Sequence, residues 1–184
     1  MYVMRWRFLL SFLPIVLLTA CASLPPELAA NDTAVVTDYS TWTETKPSAG
    51  SEVRLGGVIA GISNQANSTR LEIVNLPIDK AGRPDISQEP HGRFIAYVKG
   101  FIDPVTYAPD RLITLIGKTA ANEQGKVGDY AYSFPVMKVT GYHLWKVEQR
   151  VIMDVGPFFY PCRGYYCRHF DRESNEGRVI QTVK

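Results

Sequence analysis

Glu52-Val53-Arg54-Leu55-Gly56-Gly57-Val58-Ile59-Ala60-Gly61-Ile62-Ser63 is the stretch that decides the fold. Val53 and Leu55 alternate with Glu52 and Arg54, the period of a half-buried strand. After Gly56-Gly57 the apolar positions become Val58, Ala60 and Ile62. A one-residue slip turns every later side chain to the opposite face. The pattern therefore predicts a glycine-marked bulge at Gly56-Gly57 inside one long, coiled strand over residues 52–63.

Further strands follow. Thr69, Leu71 and Ile73 alternate with Arg70 and Glu72, predicting a second strand with Arg70 and Glu72 solvated on its outer face. Residues 77–91 hold Pro77, Gly82-Arg83-Pro84 and Glu89-Pro90 and read as an exposed loop. Residues 92–99 form a third strand, with Phe94, Ala96 and Val98 on one face. Asp103-Pro104 reads as an N-cap with proline at the first helical position, and Pro109-Asp110 ends that turn early. Residues 112–117 are almost continuously apolar, as in a strand buried on both sides. A turn at 125–128 leads to a last strand over 130–142, in which Pro135 requires an edge or a bulge. The sum is a mainly β, OB-like small five-stranded barrel with a short helical turn. A lipocalin-like barrel needs eight strands and more chain.

The ends of the chain carry different signals. Arg5, Arg7, a short apolar run over residues 8–18 and Leu18-Thr19-Ala20-Cys21 make a lipoprotein signal peptide over residues 1–20. The run is shorter than the roughly 20 apolar residues of a transmembrane helix. Cys21 then becomes the acylated first residue of the mature chain, bound to the lipid bilayer after handling by the lipoprotein processing and sorting machinery. The alternatives are an ordinary secretory signal with an incidental cysteine, or a retained membrane helix. Ala22, where an Asp would favour inner-membrane retention, favours the outer membrane of a Gram-negative cell, periplasmic face. Residues 21–50 read as a flexible lipidated N-terminal tether and entry segment, 51–150 as the barrel, and 151–184 as an aromatic and basic C-terminal tail.

The whole chain has 20 basic and 18 acidic residues. Removing residues 1–20 takes away Arg5 and Arg7 and leaves 18 of each, so no domain-wide attraction for nucleic acid remains. With Cys21 lipidated, Cys162 and Cys167 are an even pair in an oxidising compartment. They read as a disulfide, as two free thiols, or, with His169 and a fourth ligand from Asp171 or His143, as a zinc site. A Cys–His nucleophile is a further reading, and a disulfide would abolish it. An enzyme would also need His143, Asp103 and a nucleophile in one pocket. The bland reading of His143 is a partly buried side chain bonded to backbone, and of Asp103 a helix cap. No catalytic residue, cofactor or metal is assigned. Phe158, Phe159, Tyr160, Tyr165 and Tyr166, interleaved with Arg163 and Arg168, suit contact with an envelope protein partner, sugars or anionic headgroups. The same tail could instead fold back over a barrel mouth.

These blocks together resemble a known family. Val53-Arg54-Leu55-Gly56-Gly57-Val58-Ile59, Thr69-Arg70-Leu71-Glu72-Ile73, Gly92-Arg93-Phe94, Gly100-Phe101-Ile102-Asp103-Pro104-Val105-Thr106-Tyr107, Leu112-Ile113-Thr114-Leu115-Ile116-Gly117 and His143-Leu144-Trp145 are similar to the Slp family of outer-membrane lipoproteins. The resemblance runs from the signal to about Trp145. It implies an outer-membrane lipoprotein linked to starvation or stress, and supplies no catalytic residue or ligand. The function expected is thus non-catalytic, structural or interacting. The alternative is a module binding an oligosaccharide or peptidoglycan fragment on the barrel face.

Overall fold

The computed structural model describes residues 23–31, 34–153 and 177–184. Five strands close a barrel in the order β1-β2-β3-β5-β4: β1 (Glu52–Asn64), β2 (Ser68–Leu76), β3 (Gly92–Lys99), β4 (Leu112–Val127) and β5 (Tyr130–Trp145). All neighbours are antiparallel except β3 and β5, which run parallel through Ile95↔Val136, Ala96↔Met137 and Tyr97↔Lys138. This is the OB-like barrel that the alternation predicts. The interior is filled by Val53, Leu55, Ile59, Leu71, Ile73, Phe94, Ile113, Leu115 and Met137, all with at most 1% of their surface exposed.

The irregularity in β1 lies further along than expected. Pairing is regular through Gly56 and Gly57, on β2 as well as on β4. The register shifts between Ile59 and Gly61, at Ala60. Val53, Leu55 and Ile59 therefore share the inner face, and Ile62 joins the same core after the shift. Val58 points outward and packs with Leu28, Leu76, Leu112 and Trp145. The apolar pattern seemed to change parity at the glycines because a second apolar layer covers the outside there. The glycines serve close approach instead. A Cβ on Gly57 would press on the Val74 carbonyl, and one on Gly56 on the side chain of Ile78.

Pro135 sits where β4 and β5 lose register, between Ala120↔Val136 and Glu123↔Phe134, so its missing N–H costs no ladder bond. Asp103 accepts from Val105 N (3.1 Å) and Thr106 N (3.3 Å), and Tyr107 N closes one turn on Asp103 O. The helical turn goes no further.

A seven-residue helix, α1 (Tyr39–Thr45), lies in the entry segment. Ser40, Thr41, Thr43 and Thr45 are modest helix formers, and the hydroxyls of Thr43 and Thr45 bond back to helix carbonyls. What holds it is its ends and its buried face. Asp38 caps Thr41 N at 2.7 Å, and Lys46 takes the left-handed conformation (φ 43°) at the C-terminus. Trp42 packs edge-on to Phe94 with centroids 5.9 Å apart, inside the barrel core. Ahead of the helix, Val36 forms a parallel rung with Val53, on the part of β1 that β2 does not reach.

Beyond the barrel, β6 (Val147–Met153) and β7 (Gly177–Val183) form a separate antiparallel ribbon.

Gly57→Ala should lower the denaturant midpoint by the equivalent of about 1–3 kcal/mol, the usual cost of overpacking. Gly61→Ala, whose Cβ would meet nothing nearer than 4.0 Å, should change stability by no more than about 0.5 kcal/mol. Equal effects in urea melts would contradict this account of the Gly-Gly pair.

Candidate functional site

The sequence directed attention to the ends of the chain and the barrel face. Cys21, Cys162, Cys167, Phe158, Phe159, Tyr160, Arg163, Tyr165, Tyr166, Arg168, His169 and Asp171 lie outside the described residues. His143 and Asp103 are described, and each is engaged locally. Asp103 is tied to its own turn, where the Thr106 side chain and the Val105 amide hold its carboxyl below the usual range. His143 Nδ1 lies 2.6 Å from Glu27 Oε1, and its ring sits edge-on to Trp145 with centroids 4.3 Å apart. The histidine is partly buried as expected, but its partner is a carboxylate 116 residues away and not backbone. Among the described residues no cluster of His, Cys, Asp and Glu has the makings of a metal site, and no helix is long and apolar enough to cross a membrane.

The Glu27–His143 pair marks where the entry segment meets the barrel. Pro25-Pro26 starts a 3-10 turn over Pro26–Leu28, with Leu28 N bonded to Pro25 O. That turn drives Leu28 fully into a second apolar layer with Leu76, Leu112, Ile116 and Trp145. Leu24 and Ala30 pack against the same layer. Two glycines make room. A Cβ on Gly141 would collide with the Glu27 carbonyl, and Gly82, at φ +80°, faces Leu24 and Leu28. Trp145 Nε1 donates to Thr114 Oγ1 at 2.9 Å, which in turn donates to the Gly82 carbonyl. Full burial of a leucine side chain is worth about 1.5–3 kcal/mol. The Glu27 carboxylate is exposed and screened, so the leucine holds the segment and the Glu27–His143 hydrogen bond orients it.

The second feature is the barrel's outer face over β2 and β3. In OB-folds this is the face that takes extended ligands. Here β4 and β5 run past the barrel as a long arm, turned at Gly128 (φ +60°), and Phe134 is buried with Ile95 and Val136. Glu123 on the arm accepts from Arg70 Nε (3.0 Å) and Nη2 (2.8 Å) and from the Tyr97 hydroxyl (2.7 Å). Beside it Arg93 bonds Glu72 at 2.6 Å. Arg70 and Glu72 are therefore not the solvated side chains expected from alternation. Each is partly buried in an ion pair, because the chain brings its own charged partner to that face. Burial raises the Glu123 pKa, but the Tyr97 and Arg70 bonds outweigh it and the net shift is downward from 4.5.

An open cleft of about 640 Å³ lies between α1 and the arm, lined by Tyr39, Trp42, Lys46, Thr119 and Tyr132. The Tyr39 hydroxyl donates to the Arg93 carbonyl at 2.9 Å and meets the Tyr132 hydroxyl at 3.3 Å. Burial, then the neighbouring Tyr132, raises its pKa. The hydroxyl thus knits the helix, β3 and the arm together.

Residues 18–171 match the outer membrane lipoprotein Slp family, so the match extends well beyond Trp145. The uncharacterized lipoprotein YeaY of Escherichia coli is 41% identical over 119 residues, which are 63% of this chain and 61% of that one. The chain thus spans about three fifths of the length of that curated relative. Outer membrane protein Slp of Escherichia coli is 29% identical over 137 residues, 73% of this chain and 72% of the relative. A solved structure of the S. cerevisiae mitochondrial single-stranded DNA binding protein Rim1 covers 52% of this chain and 94% of its own at 12% identity, with a TM-score of 0.33. That likeness is too slight to bear on function.

Leu28→Ala should leave a cavity and cost about 2–5 kcal/mol, seen as faster amide exchange over residues 24–30. Exchange unchanged there would mean that the segment is not held by this side chain. Glu123→Ala should loosen the arm by about 1–3 kcal/mol, with faster exchange over residues 120–127. Because the folded pKa of Glu123 is lowered, its contribution is complete above pH 4.5. It is lost as pH falls through the folded value. An arm whose exchange ignores acid in this range would contradict the Glu123 tie.

Proposed function

We propose that this chain, which belongs to the outer membrane lipoprotein Slp family, is a non-catalytic structural or interaction protein of the envelope. It is held at the periplasmic face of the outer membrane by acyl chains on Cys21 and serves under starvation or stress. Removal of residues 1–20 leaves Cys21 as the first residue, and three acyl chains together hold far more firmly than the marginal grip of one. The observation that carries the reading is the occupied barrel. Its interior is filled by core side chains, and its β2–β3 face is covered by the chain's own arm, tied down through Glu123 to Arg70 and Tyr97. A face closed in this way supports a scaffold over a module that takes an oligosaccharide or peptidoglycan fragment there. Contact with an envelope partner falls to the tail, through Phe158, Phe159, Tyr160, Tyr165, Tyr166, Arg163 and Arg168. Cys162 and Cys167 would shape that tail as a disulfide.

Crosslinking in intact cells tests both halves of the proposal. Cys21→Ala should move the protein from the outer-membrane fraction to the soluble periplasm. Serine at the five tail aromatics should remove the main crosslinked partner while leaving the membrane fraction unchanged. A Cys21→Ala protein still in the outer membrane, or an unchanged partner in the tail variant, would overturn the corresponding half.

A further inference from the structure

The β6–β7 ribbon is used by nothing so far described. It leaves the barrel directly after Trp145, and Lys146 and Lys184 exchange backbone bonds at 2.7 and 2.8 Å at its base. Val183, at that base, packs into the same apolar layer as Leu28 and Leu24. The ribbon therefore springs from the patch on which the entry segment docks. Only Ala22 and Ser23 separate Leu24 from Cys21, and three residue steps reach at most about 10 Å.

The distal half of the ribbon exposes aliphatic side chains on both faces, and on one of them they pair directly with arginines. Val151 pairs with Val179 on one face, and Ile152 and Ile180 lie on the other. Their exposures are 60%, 57%, 47% and 39%. A flat protein surface covers one face of a ribbon, whereas a lipid headgroup layer surrounds both. Arg150 and Arg178 stand among these aliphatics, and Glu148, the acid among the ribbon's described residues, pairs with Lys184 at 2.7 Å and with Arg150 at 3.7 Å. The described residues of the distal ribbon thus combine exposed aliphatics with two arginines, a composition that suits an anionic bilayer surface. Its open edges leave backbone groups that only a hydrated zone can satisfy, which stops it at headgroup depth.

We infer that the β6–β7 ribbon is a second membrane contact, seated in the headgroups of an anionic phospholipid bilayer beside the acylated N-terminus. It rests on the lipid-anchor reading above. Together the anchor and the ribbon give the barrel one orientation on the membrane.

The test uses the full lipidated chain in vesicles of phosphatidylethanolamine and phosphatidylglycerol, with Cys162→Ser and Cys167→Ser. An environment-sensitive label is placed at Val151→Cys, or at Tyr130→Cys next to the far tip of the β4–β5 arm. Anchored to vesicles, the label at 151 should be quenched by aqueous iodide about fivefold more slowly than the label at 130. Arg150→Glu with Arg178→Glu should abolish that difference. Equal quenching at the two sites overturns the inference. So does protection of site 151 in vesicle-free detergent, which would mean that a second copy or the chain itself covers the ribbon. Flotation reports the anchor separately. A chain that fails to float contradicts the lipid reading, and the ribbon is then judged by whether added vesicles still shift the emission of the label at 151.

Discussion

Burial of Leu28 outside the barrel is the contact on which the functional account depends. A barrel on a loose leash could face any direction, and its surface would say little about what it meets. Leu28 removes that freedom by docking the entry segment onto Leu76, Leu112, Ile116 and Trp145. The same layer receives Val183, so both ends of the described chain are drawn to one side of the barrel wall. Glu27, His143 and the two glycines fix how the segment lies; the leucine decides that it lies there at all.

The barrel has two apolar layers, and the outer one is built from segments of the chain itself. The inner layer is the usual core of inward strand positions, completed by Trp42 of α1. The outer side is covered in two places by the chain itself, by the entry segment at Leu28 and by the β4–β5 arm at Phe134. Charged side chains on β2 and β3 are then matched by charges that the fold brings to them. An OB-like frame covered in this way supports the scaffold reading proposed above.

Much of this was legible in the sequence, and the failures have physical causes. Inward apolar positions alternate in β2 and β3, so both were readable although the arm also covers Ile95 from outside, and Pro135 correctly marked an irregularity. Strands covered on both faces mislead, which is why the shift at Ala60 was read as a bulge at Gly56-Gly57. Helix α1 is too short and too rich in Ser and Thr to show a period, and its caps and the burial of Tyr39 and Trp42 account for it. Leu28 sits alone after Pro25-Pro26, and a single leucine in a proline-rich spacer carries no periodic signal. The ties of Glu123 to Arg70 and of Glu27 to His143 join residues 53 and 116 positions apart. No local pattern encodes such pairs. The β6–β7 ribbon went unread, because the last strand was placed at 130–142 and β7 falls inside the stretch 151–184 read as a tail.

The most direct measurement is the distance between barrel and bilayer. Neutron reflectometry on the lipidated protein in a supported anionic bilayer resolves the protein layer from the headgroups. With the entry segment docked, the protein layer should begin within about 10 Å of the headgroups, the span of three residues. A hydrated gap wider than roughly 20 Å, which needs an undocked stretch of six or more residues, would contradict the account.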